Sequence, residues 1–397
     1  MFMASNGFKD RVAIISMGCT KFGDHWDKSA DDLVVDAVDE CVNSLNGKLE
    51  LSNVDAFWVG TQGSGMAGVT LSRPLHVSAP VTRVENYCAT GSDSVRNAAY
   101  AVGSGAYDVV MAVGVEKLKD SSYSGLTAAW PPSDGTKVDW TAPASFSLLA
   151  PAYAKKYGID EKLMRDVLTH IAWKNHQNGS LNSRAQFRKA ISKETIDRSP
   201  QIAGQLGVFD CSGVADGAAA AIIVRAEDAK KYCDNPMYVK ALSLVSGTGA
   251  GLRVSDYDFT SFPEVESSAQ EAYRQAGISE PRTEISFAEV HDCFTPTELV
   301  LMEDLGFSAR GAAWQDVLDG FFDLNGGLPV NPDGGLKSFG HPIGASGLRM
   351  LFECWLQLSG KAEKRQLDNP RLGLTHNLGG QPGECVSFVS IVGNQLG

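Results

Sequence analysis

Four short segments of the 397-residue chain hold side chains able to act as nucleophiles or to move protons. The first is Glu85-Asn86-Tyr87-Cys88-Ala89-Thr90-Gly91-Ser92, followed by Val95, Ala98, Ala99 and Val102 at helical spacing. That spacing sets Cys88 at or just before a helix N-terminus, where the helix dipole is expected to lower the thiol pKa and raise the thiolate population. Taken alone, a cysteine there is most often a small buried packing residue. The second segment is His291-Asp292-Cys293-Phe294, directly after an apolar run. An imidazole, a carboxylate and a thiol then fall at a strand end, where α/β sites form, although a capped strand end would look the same. The third runs from Gly335 to Gly347, with His341 between Gly340 and Pro342 in a turn before a helix. Pro342 suits a first helical turn, and the glycine spacing matches neither a P-loop nor a Rossmann fingerprint. The fourth is Thr375-His376-Asn377-Leu378-Gly379-Gly380-Gln381-Pro382-Gly383. Its glycines, expected in a loop after a strand, can offer N–H groups to a developing oxyanion, or can simply form a hairpin turn.

Together the four segments form a set suited to acyl transfer through a thioester. One thiolate attacks, a histidine activates it, a second base moves a proton on carbon, and donors stabilise oxyanions and an enolate.

Such a set needs strands and helices to aim it. Val12-Ala13-Ile14-Ile15 is a buried strand, Ser29 caps a helix reaching Leu45, and Val54–Gly60 and Asp108–Gly114 are further strands. The alternation predicts an α/β fold with its sheet buried on both faces. From Lys117 to Gln205 the pattern becomes mostly helical and too apolar for a linker, an excursion out of the sheet. Strand character returns at Asp216–Val224. The second half then repeats the first in order. Ser267–Ala276 parallels the helix after Ser29, Ile285–Val290 the strand at 54–60, and Cys385–Val392 the strand at 216–224. His341, Gly344 and Ser346 parallel Cys88, Gly91 and Ser92, each group opening an apolar helix. This predicts an internal duplication with three parts: residues 1–117 plus 206–240, an inserted domain at 118–205, and residues 241–397.

Composition bounds the function. Hydrophobic residues make up 43% and charged residues 21%, which is enough to build a packed core and excludes disorder as the main state. A net charge of −12 is the opposite of a nucleic-acid binder's basic footprint. The eight cysteines form no Cys-x-x-Cys pair, so neither a zinc ribbon nor a metal site is expected, and free thiols point to a reducing, cytoplasmic setting. No apolar run is long enough for a membrane span, and the first ten residues lack a secretory signal's pattern.

The segment around Cys88 and the run Gly340-His341-Pro342-Ile343-Gly344-Ala345-Ser346-Gly347 resemble those of the thiolases, and the resemblance covers essentially the whole chain. It implies a thiolase-like fold of two βαβαβαββ halves with an inserted loop domain. Two departures, His291-Asp292-Cys293-Phe294 for the usual Asn-Glu-Ala-Phe and Asn377-Leu378-Gly379 for the usual Cys-x-Gly, resemble the sterol-carrier-protein type branch. The resemblance implies CoA-dependent cleavage of a 3-oxoacyl-CoA, or the reverse Claisen condensation. His341 would deprotonate Cys88, Cys293 would act on the enolate carbon, and His291 with His341 would hold the enolate oxygen. Gly379 and the Cys88 amide would serve the other oxyanion. Coenzyme A would be a co-substrate, with no permanently bound cofactor. A homodimer is implied, and prokaryotic relatives of this branch often join a small zinc-containing OB-fold protein. Rival readings are a retro-aldol lyase acting on 3-hydroxyacyl-CoAs, which tends to lack a cysteine at the position of Cys88, a decarboxylating ketoacyl synthase, and a non-catalytic acyl-CoA-binding subunit. Tyr123, Trp130, Trp140 and Phe146 are candidates for an acyl pocket, for plain core or for a dimer interface, and Lys117, Lys119 and Arg253 for holding the CoA 3'-phosphate.

Overall fold

The computed structural model describes residues 7–120, 141–249, 251 and 256–397. In the first half come β1 (Val12–Cys19), α1 (Ala30–Asn43), β2 (Ala56–Gly60), α2 (Val69–Leu75), β3 (Val81–Val84), α3 (Thr90–Gly103) and β4 (Val109–Glu116). The excursion holds α4 (Ala142–Phe146), α5 (Leu149–Tyr157), α6 (Glu161–Ser180), α7 (Lys193–Asp197) and a hairpin of β5 (Gln201–Ala203) and β6 (Leu206–Gly207), before β7 (Gly217–Arg225) returns to the sheet. The rest comprises β8 (Met237–Ser246), α8 (Pro263–Ala276), α9 (Pro281–Glu284), β9 (Phe287–Glu289), α10 (Thr295–Asp304), α11 (Ala313–Leu318), α12 (Gly335–Phe339), α13 (Ser346–Leu358), β10 (Leu372–Gln381) and β11 (Glu384–Gly393).

Among the described residues the nine long-range strands form one mixed sheet, in the order β3-β2-β4-β7-β1-β8-β11-β10-β9. Counted outward from the centre, β1-β7-β4-β2 is matched by β8-β11-β10-β9. The duplication expected from the order of elements is therefore present in the topology. The two halves are not separate sheets, since β1 and β8 pair antiparallel at Ala13–Tyr238 and Ile14–Met237. The expected division at 240/241 falls inside β8, which pairs with β1 on one side and β11 on the other.

Strand alternation decides which helix covers which face. On β7, Ala219, Ala221 and Ile223 face a cluster with Val95 and Ala98 of α3 and Leu348 and Leu351 of α13, while Ala218, Ala220 and Ile222 meet Leu33, Val34 and Ala37 of α1. Thus α3 and α13 lie together on the face common to both halves. The Ser29 cap of α1 is a full capping box, with Asp32 N–H donating to the hydroxyl at 3.2 Å and Ser29 N–H to the Asp32 carboxylate at 2.8 Å. The excursion packs on the second half, where Met164, Leu168 and Ile171 of α6 join Leu299 and Val300 of α10.

Candidate active site

Cys88 sits one residue before the Ala89 cap of α3, as the helical spacing predicts. The turn that holds it is tight. Tyr87 is left-handed at φ 50°, an uncommon state for a side-chain-bearing residue. Asn86 N–H donates to Thr90 Oγ1 at 2.8 Å, and that hydroxyl donates to Tyr87 O at 2.5 Å. The expected lowering of the thiol pKa is not found. Burial, together with the carboxylates of Glu116 and Glu85, pushes Cys88 up to about 12. The thiol is thus protonated at neutral pH and needs a base.

Two imidazoles stand beside it. The nucleophilic or basic atoms of Cys88, His291 and His341 all lie within 4.8 Å of one another, and the two imidazoles meet edge to face at 5.5 Å. His341 enters from Gly340, at φ 107°, and its own N–H donates to Gly213 O at 2.9 Å. The helix beyond begins at Ser346 rather than at Pro342. The proline instead lies one turn earlier, and its carbonyl accepts from the Ser346 hydroxyl at 2.9 Å. With its proton given to Pro342, Ser346 Oγ must accept from His341 Nδ1, 2.7 Å away. The tautomer is thereby set: Nδ1 carries the hydrogen, and the unpartnered buried Nε2 is the free acceptor. Burial, reinforced by the Arg349 cation, drives His341 down to about 3 and also lowers His291, so both rings are neutral near pH 7.

Cys293 shares the cavity. It is raised by burial, and its sulfur lies 3.7 Å from Thr297 Oγ1. The cavity encloses about 170 Å³ and is walled by Cys88, His291, Cys293 and His341, with Phe146, Phe294 and Ile343 supplying apolar surface. Phe146 is both core and cavity wall, its ring 4.8 Å from that of Phe294. Tyr123, Trp130, Trp140 and Arg253 lie outside the described residues. Lys117 and Lys119 are taken up by carboxylates, Lys117 by Asp216 at 2.8 Å and Lys119 by Asp24 at 3.0 Å.

Gly379 is not in a loop. It lies within β10, opposite Val386, and a Cβ there would stand 2.5 Å from Asn86 O, so glycine lets the strand press on the Cys88 turn. The neighbour that reaches the cavity wall is Gly380. Glu116, the one charged residue in the apolar strand β4, also braces this site and was not foreseen from the sequence. Its carboxylate accepts from Gly63 N–H at 2.9 Å and from Gly344 N–H at 3.1 Å, tying the loop after β2 to the turn after His341. A lone carboxylate ending a buried strand was the available signal. Cys211, Ser212 and Val214, also on the wall, carried none.

Two imidazoles and a thiol are also a donor set that would suit a thiophilic ion, the Cys88 proton then being released to solvent.

The thiolase N-terminal domain family matches residues 12–227, and the thiolase C-terminal domain-like family matches residues 251–391. The chain belongs to the thiolase family. It is 35% identical to the acetyl-CoA acetyltransferase of Methanothermobacter thermautotrophicus, over 95% of this chain and 98% of that one. It is 30% identical to sterol carrier protein 2 of Gallus gallus, over 93% of this chain and 70% of that one. Its fold matches that of an Ltp2-ChsH2(DUF35) aldolase, with a TM-score of 0.82 and 24% identity over 98% of each chain. It also matches human mitochondrial 3-ketoacyl-CoA thiolase, with a TM-score of 0.70 and 18% identity over 98% of this chain and 100% of that one. The thiolase-like fold that the motifs implied is that of both solved structures, and the acyltransferase class is that of the acetyl-CoA acetyltransferase relative.

Proposed function

We propose that the protein cleaves a 3-oxoacyl-CoA with coenzyme A, or runs the reverse Claisen condensation, through an acyl group carried on Cys88. The observation that carries this is the cluster of Cys88 with His291 and His341, all within 4.8 Å, on a cavity that also holds Cys293. His341 Nε2 takes the Cys88 proton as the sulfur adds to the 3-oxo carbon. The carbon–carbon bond then breaks, leaving the acyl group on sulfur and an enolate that takes its proton from Cys293. Coenzyme A thiol finally attacks the acyl-enzyme, its proton going to the Cys293 thiolate while the departing Cys88 sulfur recovers its own from His341, and the new thioester leaves. His291 and His341 face the thioester oxygen of the enolate. The Cys88 amide serves the other oxyanion, with Gly380 at the wall beside it and Gly379 shaping the turn. Neutral imidazoles suit these tasks, because they can donate or accept without first losing a charge.

Coenzyme A is read as a co-substrate. A second copy of the chain, and a small zinc-containing OB-fold protein, belong to the same reading as partners; the aldolase fold neighbour is described together with a DUF35 protein. Among the described residues no helix is long and apolar enough to cross a membrane.

Intact-protein mass spectrometry after brief mixing with acetoacetyl-CoA or acetyl-CoA tests the proposal. An acetyl adduct that maps to Cys88 and is discharged by coenzyme A is the expected result. A Cys88 left unmodified by a panel of larger 3-oxoacyl-CoAs would overturn it and leave the retro-aldol reading in its place.

A further inference from the structure

Asp292 separates His291 from Cys293 in the chain, yet it is fully buried and is not among the residues walling the cavity. Its carboxylate accepts from the backbone N–H of Leu336 at 2.6 Å and of Lys337 at 3.3 Å, both in α12. It also accepts from Asn175 Nδ2, on α6 of the excursion, at 2.8 Å. Approach to α12 is close because residue 335 is glycine: at φ +63° a Cβ there would stand 2.7 Å from the Asp292 Cγ. Two residues after α12 ends at Phe339 comes His341. One carboxylate therefore links the segment bearing His291 and Cys293 to the segment bearing His341.

Further bonds brace the link from behind. The other amide hydrogen of Asn175 goes to Glu298 Oε2 at 2.7 Å, and Asn331 Nδ2 reaches the same oxygen at 3.0 Å. Lys174 pairs with Glu298 at 2.8 Å. Asn331 Oδ1 then accepts from the N–H of Val290, the residue before His291, at 2.8 Å. The network returns to the strand end it started from, and all its members are buried.

We propose that Asp292 is a positioning residue which, held by Asn175, sets the spacing of His291 and Cys293 against His341 and Cys88. This rests on the acyl-transfer reading above. Three donors converge on a carboxylate, which only accepts. An amide in its place turns N–H groups toward at least one of those donors, and α12 must move. Displacements of about 1 Å in a reacting set lower rates by about 10²-fold.

The test uses the full chain as wild type, Asp292→Asn and Asn175→Ala. Alkylation of Cys88 by iodoacetamide is followed against pH by peptide mass spectrometry, beside kcat and KM for acetoacetyl-CoA thiolysis and a thermal melt. In Asp292→Asn, kcat is expected to fall about 10²-fold with KM nearly unchanged. Asn175→Ala should fall less, by about tenfold. In both variants the Cys88 alkylation profile moves to higher pH, because the thiol loses the His341 acceptor. A lowered melting temperature with wild-type kcat and a wild-type alkylation profile would overturn the proposal, since a purely structural role predicts that pattern. If Asp292→Asn does not fold, Asn175→Ala decides by the same two readouts. The alkylation profile needs no acyl substrate, so wild-type protein inactive on CoA esters would refute the enzymatic reading and still leave the positioning role decided.

Discussion

The turn before α3 and the turn before α13 are counterparts in the duplicated fold, and they meet at the shared face through paired glycines. A Cβ on Gly91 would stand 2.6 Å from Gly344 O, and one on Gly347 would fall on the backbone and hydroxyl of Ser92. Their cargo differs. The first turn, with Tyr87 left-handed, presents a thiol; the second, entered through Gly340, presents an imidazole. The contrast extends through both halves. His291, His341 and His376 of the second half are all buried, whereas His25 and His76 of the first half are not. Duplication set where groups can stand, and divergence set what they do. The thiol of one half and the imidazoles of the other come together only because the halves are joined.

If that division of labour holds, the largest effect follows from emptying the first turn. Cys88→Ala is expected to abolish the CoA-dischargeable adduct and to lower turnover by at least about 10³-fold, read by thiolysis of acetoacetyl-CoA. Removing a thiol from the second half should act differently. With Cys293→Ala, acetylation of Cys88 by acetyl-CoA persists, while carbon–carbon cleavage slows by about 10²- to 10⁴-fold. Equal loss of both steps would erase the distinction between the two thiols. Next in size is the contact itself. Gly347→Ala puts a methyl group on Ser92 and should cost about 1–3 kcal/mol in a denaturant titration. An unchanged midpoint would mean that the paired glycines are not what brings the turns together.

Much of this comparison was legible in the sequence. The order of elements, repeated after about residue 240, carried the duplication, because each half must bury the same apolar faces. The four chemistry-bearing segments were visible as polar or thiol residues beside glycines at element ends. What stayed hidden depended on the third dimension. The Cys88 pKa turned on burial and on Glu116, which is distant in sequence, and no local dipole argument contains either. Gly379 looked like loop because glycine runs usually are, but β11 pairs with it and holds it in strand. Asn175, on the excursion, reaches Asp292 across 117 positions, and nothing in its helical neighbourhood marks it.

The smallest effect is also the one that tests the asymmetry of imidazoles. Burial lowers His376 from its ordinary 6.5 to about 3, and its Nε2 lies 3.3 Å from Ser387 Oγ. As pH falls below about 6.5 the unfolded chain takes up this proton and the folded chain does not. The contribution of neutral His376 to stability is therefore complete above that pH and is lost progressively as pH falls toward the folded value. His341 behaves in the same sense, and His176 on the excursion, lowered to about 4, adds to it. His376→Leu removes one such group without stranding Ser387, whose hydroxyl keeps Ser268 at 2.7 Å. Denaturant midpoints at two pH values decide the matter. Between about pH 7 and about pH 5, the wild type should lose about 2 kcal/mol more than the variant. If the two lose stability in parallel, acid sensitivity does not originate at this imidazole, and the burial contrast between the halves has no thermodynamic consequence there.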